Sequence, residues 1–218
     1  MYLDTAHKKG ISFHQLSRDL KITQKTAWFM LHRIRATFEP LIDKQFDKVV
    51  EIDENYVGGR EKNKHKSKRT ANTQGRSTKT KTPVLGIIER KGKVYAIPVE
   101  NTKSENICPI IKEKVKFGTT VYTNEWTSYR ALNKNYDHSI VKHSADEYVI
   151  GDVHTNSIES FWALFKRGII GIYHNVSVKH LEKYINEFTF RFNNKGLTDG
   201  SRFDVALANT KGRLDFKH

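Results

Sequence analysis

Between residues 49 and 99 three strand-like runs follow one another with no helical periodicity between them, and that order constrains the fold more than any other feature of the chain. The runs are 49–57, 84–90 and 94–99, and Arg90-Lys91-Gly92-Lys93 makes a tight turn between the last two, so they read as an antiparallel meander. The period then changes. Ile107, Ile110, Ile111 and Val115 recur at helical spacing within 102–116, 119–123 is a short buried strand, 125–132 a helix, 139–142 a strand, and 156–167 and 178–192 two further helices. Consecutive strands followed by alternating helix and strand predict an α/β chain, a mixed sheet with flanking helices.

Ahead of this core lies a smaller unit. Ser12-Phe13-His14-Gln15 is a capping box that opens a short helix carrying Leu16 and Leu20. Thr23 caps a second helix through Arg35, in which Ala27, Leu31 and Ile34 recur at helical spacing and Lys25, Arg33 and Arg35 are basic. Two helices joined by the turn Lys21-Ile22 predict a helix-turn-helix, whose second helix can lie in a DNA major groove. An ordinary helical hairpin has the same pattern, and the basic second helix favours DNA. Pro40 ends the unit, because the residue before a proline is pushed out of helical conformation. The expected organisation is a helix-turn-helix segment at 1–40, a linker at 41–48, a core domain at 49–195 with a basic insertion at 58–83, and a C-terminal tail at 196–218.

The charge names a class of partner. A formal net charge of +14 on 218 residues predicts attraction to a polyanion, first of all double-stranded nucleic acid. No apolar run approaches the roughly 20 residues of a membrane span, so no membrane partner is expected and a cytoplasmic, nucleoid-associated location follows. The single cysteine, Cys108, excludes a disulfide framework and any four-cysteine zinc site within one chain, and the scattered histidines read as surface or nucleic-acid-facing residues. From 60 to 81 there are nine Lys or Arg against one acid, Glu61. Such a run is a solvated loop for folding purposes, and beside DNA its Lys64, Lys66, Lys68 and Arg69 would grip phosphates through salt-sensitive contacts.

Chemistry points to three positions. Asp53 alternates with Ile52 on the first strand, so an inward isoleucine puts the acid on the opposite face of the sheet. Glu51 and Asn55 share that face, and the plain reading of all three is a polar sheet surface. Asn124 ends a later strand, where a third acid is expected beside Asp53, and Glu159 stands on the helix from 156. Carboxylates gathered from distant parts of a chain are what two-metal phosphodiester chemistry requires. A capping arrangement competes for Glu159, with Asn156 as N-cap and Glu159 reaching back to its N–H. Lys166 lies two turns further along the same helix face with Arg167 beside it, suited to phosphate, while Ile158, Phe161, Trp162 and Phe165 form a core stripe. Trp126, Trp162 and Tyr173 are large enough to stack on bases, but core packing is their commoner use.

The stretches 10–35, Glu51-Ile52-Asp53-Glu54-Asn55-Tyr56-Val57-Gly58-Gly59, Tyr122-Thr123-Asn124-Glu125-Trp126, Asp152-Val153-His154-Thr155-Asn156-Ser157-Ile158-Glu159 through Lys166-Arg167-Gly168-Ile169, His180-Leu181-Glu182-Lys183-Tyr184 and Phe190-Arg191-Phe192-Asn193 together resemble bacterial insertion-sequence transposases of the DDE class, in the ISXO2-like (IS1595) family. The resemblance covers nearly the whole chain. It implies a ribonuclease H-like fold, DNA transposition with two divalent ions, Mg²⁺ or Mn²⁺, binding of transposon ends and target DNA, and a homodimer or larger assembly on DNA. The family's first acid maps onto Asp53, its last onto Glu159 and its following basic residue onto Lys166. Its second acid falls on Asn124, which lacks the charge that holds two ions together, so severe loss of cleavage and strand transfer is expected. The resemblance also implies a zinc ribbon before the helix-turn-helix in full-length relatives, and on that expectation the chain reads as a fragment. Two other readings stand beside an impaired transposase: a non-catalytic DNA-binding protein occupying transposon ends as a repressor, and a general ribonuclease H-like nuclease.

Overall fold

A computed structural model describes residues 1–7, 9–39, 44–59, 64–71, 73, 75, 77–141 and 154–210. In chain order the elements are α1 (Tyr2–Ala6), α2 (Phe13–Leu20), α3 (Gln24–Ala36), β1 (Val50–Val57), β2 (Thr82–Glu89), β3 (Val94–Pro98), α4 (Ser104–Lys114), β4 (Thr120–Thr123), β5 (Asp137–Ile140), α5 (Asn156–Gly168), α6 (Val178–Asn193) and α7 (Asp199–Ala208). They fall into two compact units, Ile42–Ala163 and the combination of Met1–Leu41 with Leu164–His218, the boundary lying within α5.

The unit Ile42–Ala163 is built on a five-stranded mixed sheet of order β3-β2-β1-β4-β5. The expected meander is present: β1 pairs antiparallel with β2 and β2 with β3, while β1, β4 and β5 are parallel. Alternation in Val50-Glu51-Ile52-Asp53 sorts side chains between the faces. Val50 and Ile52, with Leu85, Ile87 and Val121, meet Ile107, Ile111 and Val115 from α4 and its end. Tyr129 and Leu132 close that layer from a stretch of 3₁₀ helix, Thr127–Lys134, where the sequence predicts an α-helix from 125. On the opposite face Ile158 and Trp162 of α5 lie over Gly86.

In the other unit the expected helix pair is present. Ser12 Oγ accepts the Gln15 N–H at 3.1 Å and Thr23 Oγ1 the Thr26 N–H at 3.1 Å, so each hydroxyl satisfies an N–H that the first helical turn leaves open. Lys21 takes the left-handed conformation between them, φ 52°. Ile11, Leu16, Ala27 and Leu31 pack into a small core.

Several elements depart from the sequence reading. The expected tail contains α7, capped by Thr198 through the Ser201 N–H at 3.2 Å, and α1 precedes the helix pair where none is predicted. A π-helical turn, Ile169–Tyr173, follows α5. The expected linker is anchored: Phe46 is buried and bridges to Val115, its N–H donating to the Lys114 carbonyl at 2.8 Å. Of the sequence-predicted stretches, 40–43, 60–63, Lys142 and the 152–153 part of the last motif lie outside the described residues.

Candidate active site

The parallel ladder between β1 and β4 decides which residues meet. Val50 pairs with Val121, Glu51 with Tyr122 and Ile52 with Thr123, so the next positions beyond the ladder are Asp53 and Asn124. They touch: Asn124 Nδ2 donates to Asp53 Oδ1 at 2.8 Å and reaches Glu54 Oε2 at 3.4 Å. The other end of the amide is also engaged, Oδ1 accepting the Trp126 backbone N–H at 2.9 Å. That bond turns the amide N–H₂ toward the acids. Glu54, buried on the α4 face, accepts the Tyr129 hydroxyl at 2.7 Å as well.

Asp53 has no cation beside it among the described residues. Burial and then the Glu54 carboxylate push its pKa up to about 7, with Glu159 adding to the rise, while the Glu54 backbone N–H and the Asn124 amide pull the other way. Glu159 is thereby within electrostatic reach of Asp53. It stands exposed in the first turn of α5 and accepts the Thr155 hydroxyl at 2.9 Å.

The expected cap of α5 is different from the one found. Asn156 is the first helical residue, and the acceptor for the helix N-terminus comes from β1: Glu51 Oε2 takes the N–H of Ser157 at 2.8 Å and of Ile158 at 3.0 Å. Glu51 Oε1 meets the Ser157 hydroxyl at 3.0 Å and Arg90 Nε at 2.8 Å. Glu51 is fully buried, so it is no part of a polar sheet surface. Gly86, paired with Asp53 across β2, makes room for α5: a Cβ there would meet Trp162 Cζ2 at 2.5 Å and Ile158 Cδ1 at 2.9 Å. Trp162 is core, as its spacing predicts; Trp126 Nε1 donates to the Thr102 carbonyl at 3.1 Å and the Tyr173 hydroxyl to Glu187 at 2.6 Å.

The predicted DNA-facing cations separate into two sets. Lys25, Lys64, Lys66, Lys68, Arg69, Lys166 and Arg167 are exposed, and Arg33 is half-buried. Arg69 Nε donates to the Lys64 carbonyl at 3.1 Å, which orders the basic segment locally. Arg35 overturns its expectation: it is 2% exposed, ion-paired with Glu187 at 2.6 Å and stacked on the Tyr173 and Tyr184 rings, so it is a core cation. His32 likewise is no surface residue. Its ring is buried against Trp28, His180 and Tyr184, and burial, then Arg35, lower its pKa to about 3.

The carboxylates suit a hard divalent cation, which takes oxygen ligands, and a half-buried acid held near 7 is the electrostatic condition that a cation relieves. Among the described residues no three His, Cys, Asp or Glu side chains converge as a ready-made ion site. Asn124 lies against the two acids of β1, Asp53 and Glu54.

A mixed sheet of this order with an acid midway along its central strand, one position beyond the parallel ladder, is the ribonuclease H-like class. The model of the ISXO2-like transposase domain matches residues 45–193, and the chain belongs to that family. Of curated relatives, a transposase-like protein of Haemophilus influenzae is 33% identical over 125 residues, 57% of this chain and 98% of its own length. A protein in the transposable element ISH50 of Halobacterium salinarum is 30% identical over 190 residues; these are 83% of this chain but 64% of that protein, so the chain spans less than two thirds of its length. A Mos1 transposase paired-end complex with the left transposon end is a structural neighbour at 12% identity and TM-score 0.37, covering 92% of this chain and 74% of the Mos1 chain. At that score the likeness adds nothing to the fold, which rests on the sheet itself. No helix among the described residues is long and apolar enough to cross a membrane.

Proposed function

We propose that this family member is a DNA transposase by descent whose metal-dependent cleavage and strand transfer at transposon ends are crippled at the second acid position. The observation that carries the reading is the 2.8 Å contact of the Asn124 amide with Asp53, where the family's second carboxylate belongs. Asp53, position 124 and Glu159 would hold two divalent ions, Mg²⁺ or Mn²⁺, which supply an activated water or 3′-hydroxyl and stabilise the leaving oxygen. The chain's own residues do the rest. An aspartate at 124 would keep one oxygen on the Trp126 N–H and turn the other toward Asp53; the asparagine instead presents two N–H donors and no charge. Lys166 and Arg167 on α5, with the exposed cations of 64–69 and of α3, bind DNA phosphates and hold the strand. Joining two ends requires at least a dimer on DNA.

The test is a Mg²⁺- or Mn²⁺-dependent cleavage and strand-transfer assay on DNA carrying candidate terminal sequences. Asn124→Asp is expected to exceed the chain as it stands by about 10³-fold, because an ion held in place contributes several kcal/mol of transition-state stabilisation. Equal, efficient cutting by both chains refutes the impairment. A second reading, an end-binding protein without chemistry, is favoured by the same amide: it satisfies Asp53 and Glu54 without a cation. Specific end binding by both chains with cutting by neither selects it, and cutting of hybrid duplexes without preference for ends selects a general nuclease.

A further inference from the structure

Glu51 is used by neither the chemistry nor the hydrophobic core, yet its carboxylate is fully engaged by hydrogen-bond donors. Its carboxylate is fully buried and receives two backbone N–H groups and a hydroxyl from the start of α5, together with Arg90 Nε. Arg90 Nη2 in turn donates to the His154 carbonyl at 2.8 Å, and its guanidinium lies over the Tyr122 ring, 4.7 Å from the centroid. The chain immediately before α5 and its first turn are therefore both bonded to one acid–arginine pair on the sheet. The pair's location gives it a second consequence. Glu51 is two residues before Asp53 on the same strand face, and Ser157 and Ile158 immediately precede Glu159. A strand is stiff over two residues and so is one helical turn, so a bond between Glu51 and the N–H groups of 157 and 158 transmits position from Asp53 to Glu159. A negative charge is the right group there, because the N-terminus of a helix carries exposed N–H donors and the positive end of the helix dipole.

We infer that Glu51, locked by Arg90, is a positioning residue that sets the placement of Glu159 relative to Asp53, two acids 106 positions apart in sequence. The inference rests on the reading of those acids as the metal-binding pair for its functional meaning, but the placement itself is measurable without metal. It predicts that loosening the cap lets Glu159 drift from Asp53, whereas a residue that only stabilises the fold would leave the spacing of the two acids alone.

The experiment compares the separation of the Asp53 and Glu159 carboxylates in crystal structures of the full chain and of Glu51→Gln and Ser157→Ala. Ser157→Ala removes one hydroxyl from a half-buried position and leaves the buried acid in place, so it provides a folded reporter if Glu51→Gln is too unstable. Glu51→Gln is expected to lengthen that separation as the first turn of α5 loses its acceptor, and Ser157→Ala to lengthen it less. An unchanged separation in the folded variants, with only a lower Tm, overturns the proposal. A second arm measures Mn²⁺ binding to Asn124→Asp with and without Glu51→Gln; loss of an outer partner of a ligand is expected to weaken binding about tenfold or more. If Asn124→Asp binds no Mn²⁺ while the separation of the two acids still grows in Glu51→Gln, the positioning stands and the metal reading falls. Tight Mn²⁺ binding that is indifferent to Glu51→Gln overturns the positioning instead.

Discussion

Each compact unit of this chain buries a group of charged side chains, and the two groups are composed differently. In the unit with the chain termini, Glu187 is fully buried and accepts Arg35 Nε at 2.6 Å, Arg191 Nη2 at 2.9 Å and the Tyr173 hydroxyl at 2.6 Å, while Arg191 also meets Asp4 at 3.1 Å. Two arginines answer two acids. The guanidiniums hold the Glu187 carboxyl below its ordinary range in spite of its burial, and Asp4, where burial and then Glu187 dominate, is raised to about 6. In the sheet unit, Asp53 and Glu54 share an asparagine amide, Glu159 adds its charge nearby, and Arg90 is committed to Glu51. The difference teaches that buried acids alone do not mark a site. A balanced set ties α1, α3 and α6 together, whereas a set with more acid than base stores unfavourable charge that only a proton, an amide or a metal ion relieves.

Removing one member of the balanced set should have the largest effect. Glu187→Gln leaves two buried guanidiniums short of an acid, and a loss of about 3–5 kcal/mol is expected in urea unfolding monitored at pH 7. A loss below about 1 kcal/mol would show that the network is not structural, and the contrast would break.

Next in size is a gain. Asp53 has a folded pKa of about 7 against 3.8 unfolded, so the native state binds the extra proton and stability falls as pH rises from about 4 to about 7. Asp53→Asn keeps an oxygen for the Asn124 amide and removes the charge, and should stabilise the chain by about 2 kcal/mol at pH 8 and hardly at all at pH 4. Thermal unfolding across that range decides it; destabilisation at pH 8 would mean that Asp53 is already neutralised by a partner.

The smallest effect sharpens the comparison most. Asn124→Asp replaces the shared amide with a third acid, and should cost about 1–2 kcal/mol in chelator, since two carboxylates lose a donor. Millimolar Mg²⁺ or Mn²⁺ should restore it, by about 2.7 kcal/mol at one hundred times Kd, while the chain as it stands should gain much less. Equal responses of the two chains to the cation would show that position 124 does not control the ion.

Much of the fold was legible because periodicity is local. The alternation from Val49 to Val57 placed Ile52 inward and Asp53 opposite, and the run before Asn124 put that residue at a strand end, which is where the parallel ladder delivers it. What stayed hidden depends on partners far away in sequence. Arg35 looks like any basic residue of an exposed helix until Glu187, 152 positions on, is packed against it. Glu51 looks like surface polarity until α5 covers its strand face, and no pattern near residue 156 announces that the helix is capped from β1. The α7 helix was missed because it is short and only Ala206 within it is buried, so its apolar stripe is faint.

The turn that follows β4 has a bearing on how such a chain changes over generations. Asn124 secures Trp126 through an oxygen that aspartate also has, so the backbone there is indifferent to which of the two residues stands in it. Asparagine and aspartate codons differ by a single first-position base. Asp53 and Glu54 both take the amide as a donor, so selection on folding alone favours the asparagine over a third acid. Exchange at this position is therefore lopsided, cheap to the fold toward the asparagine and costly toward the acid.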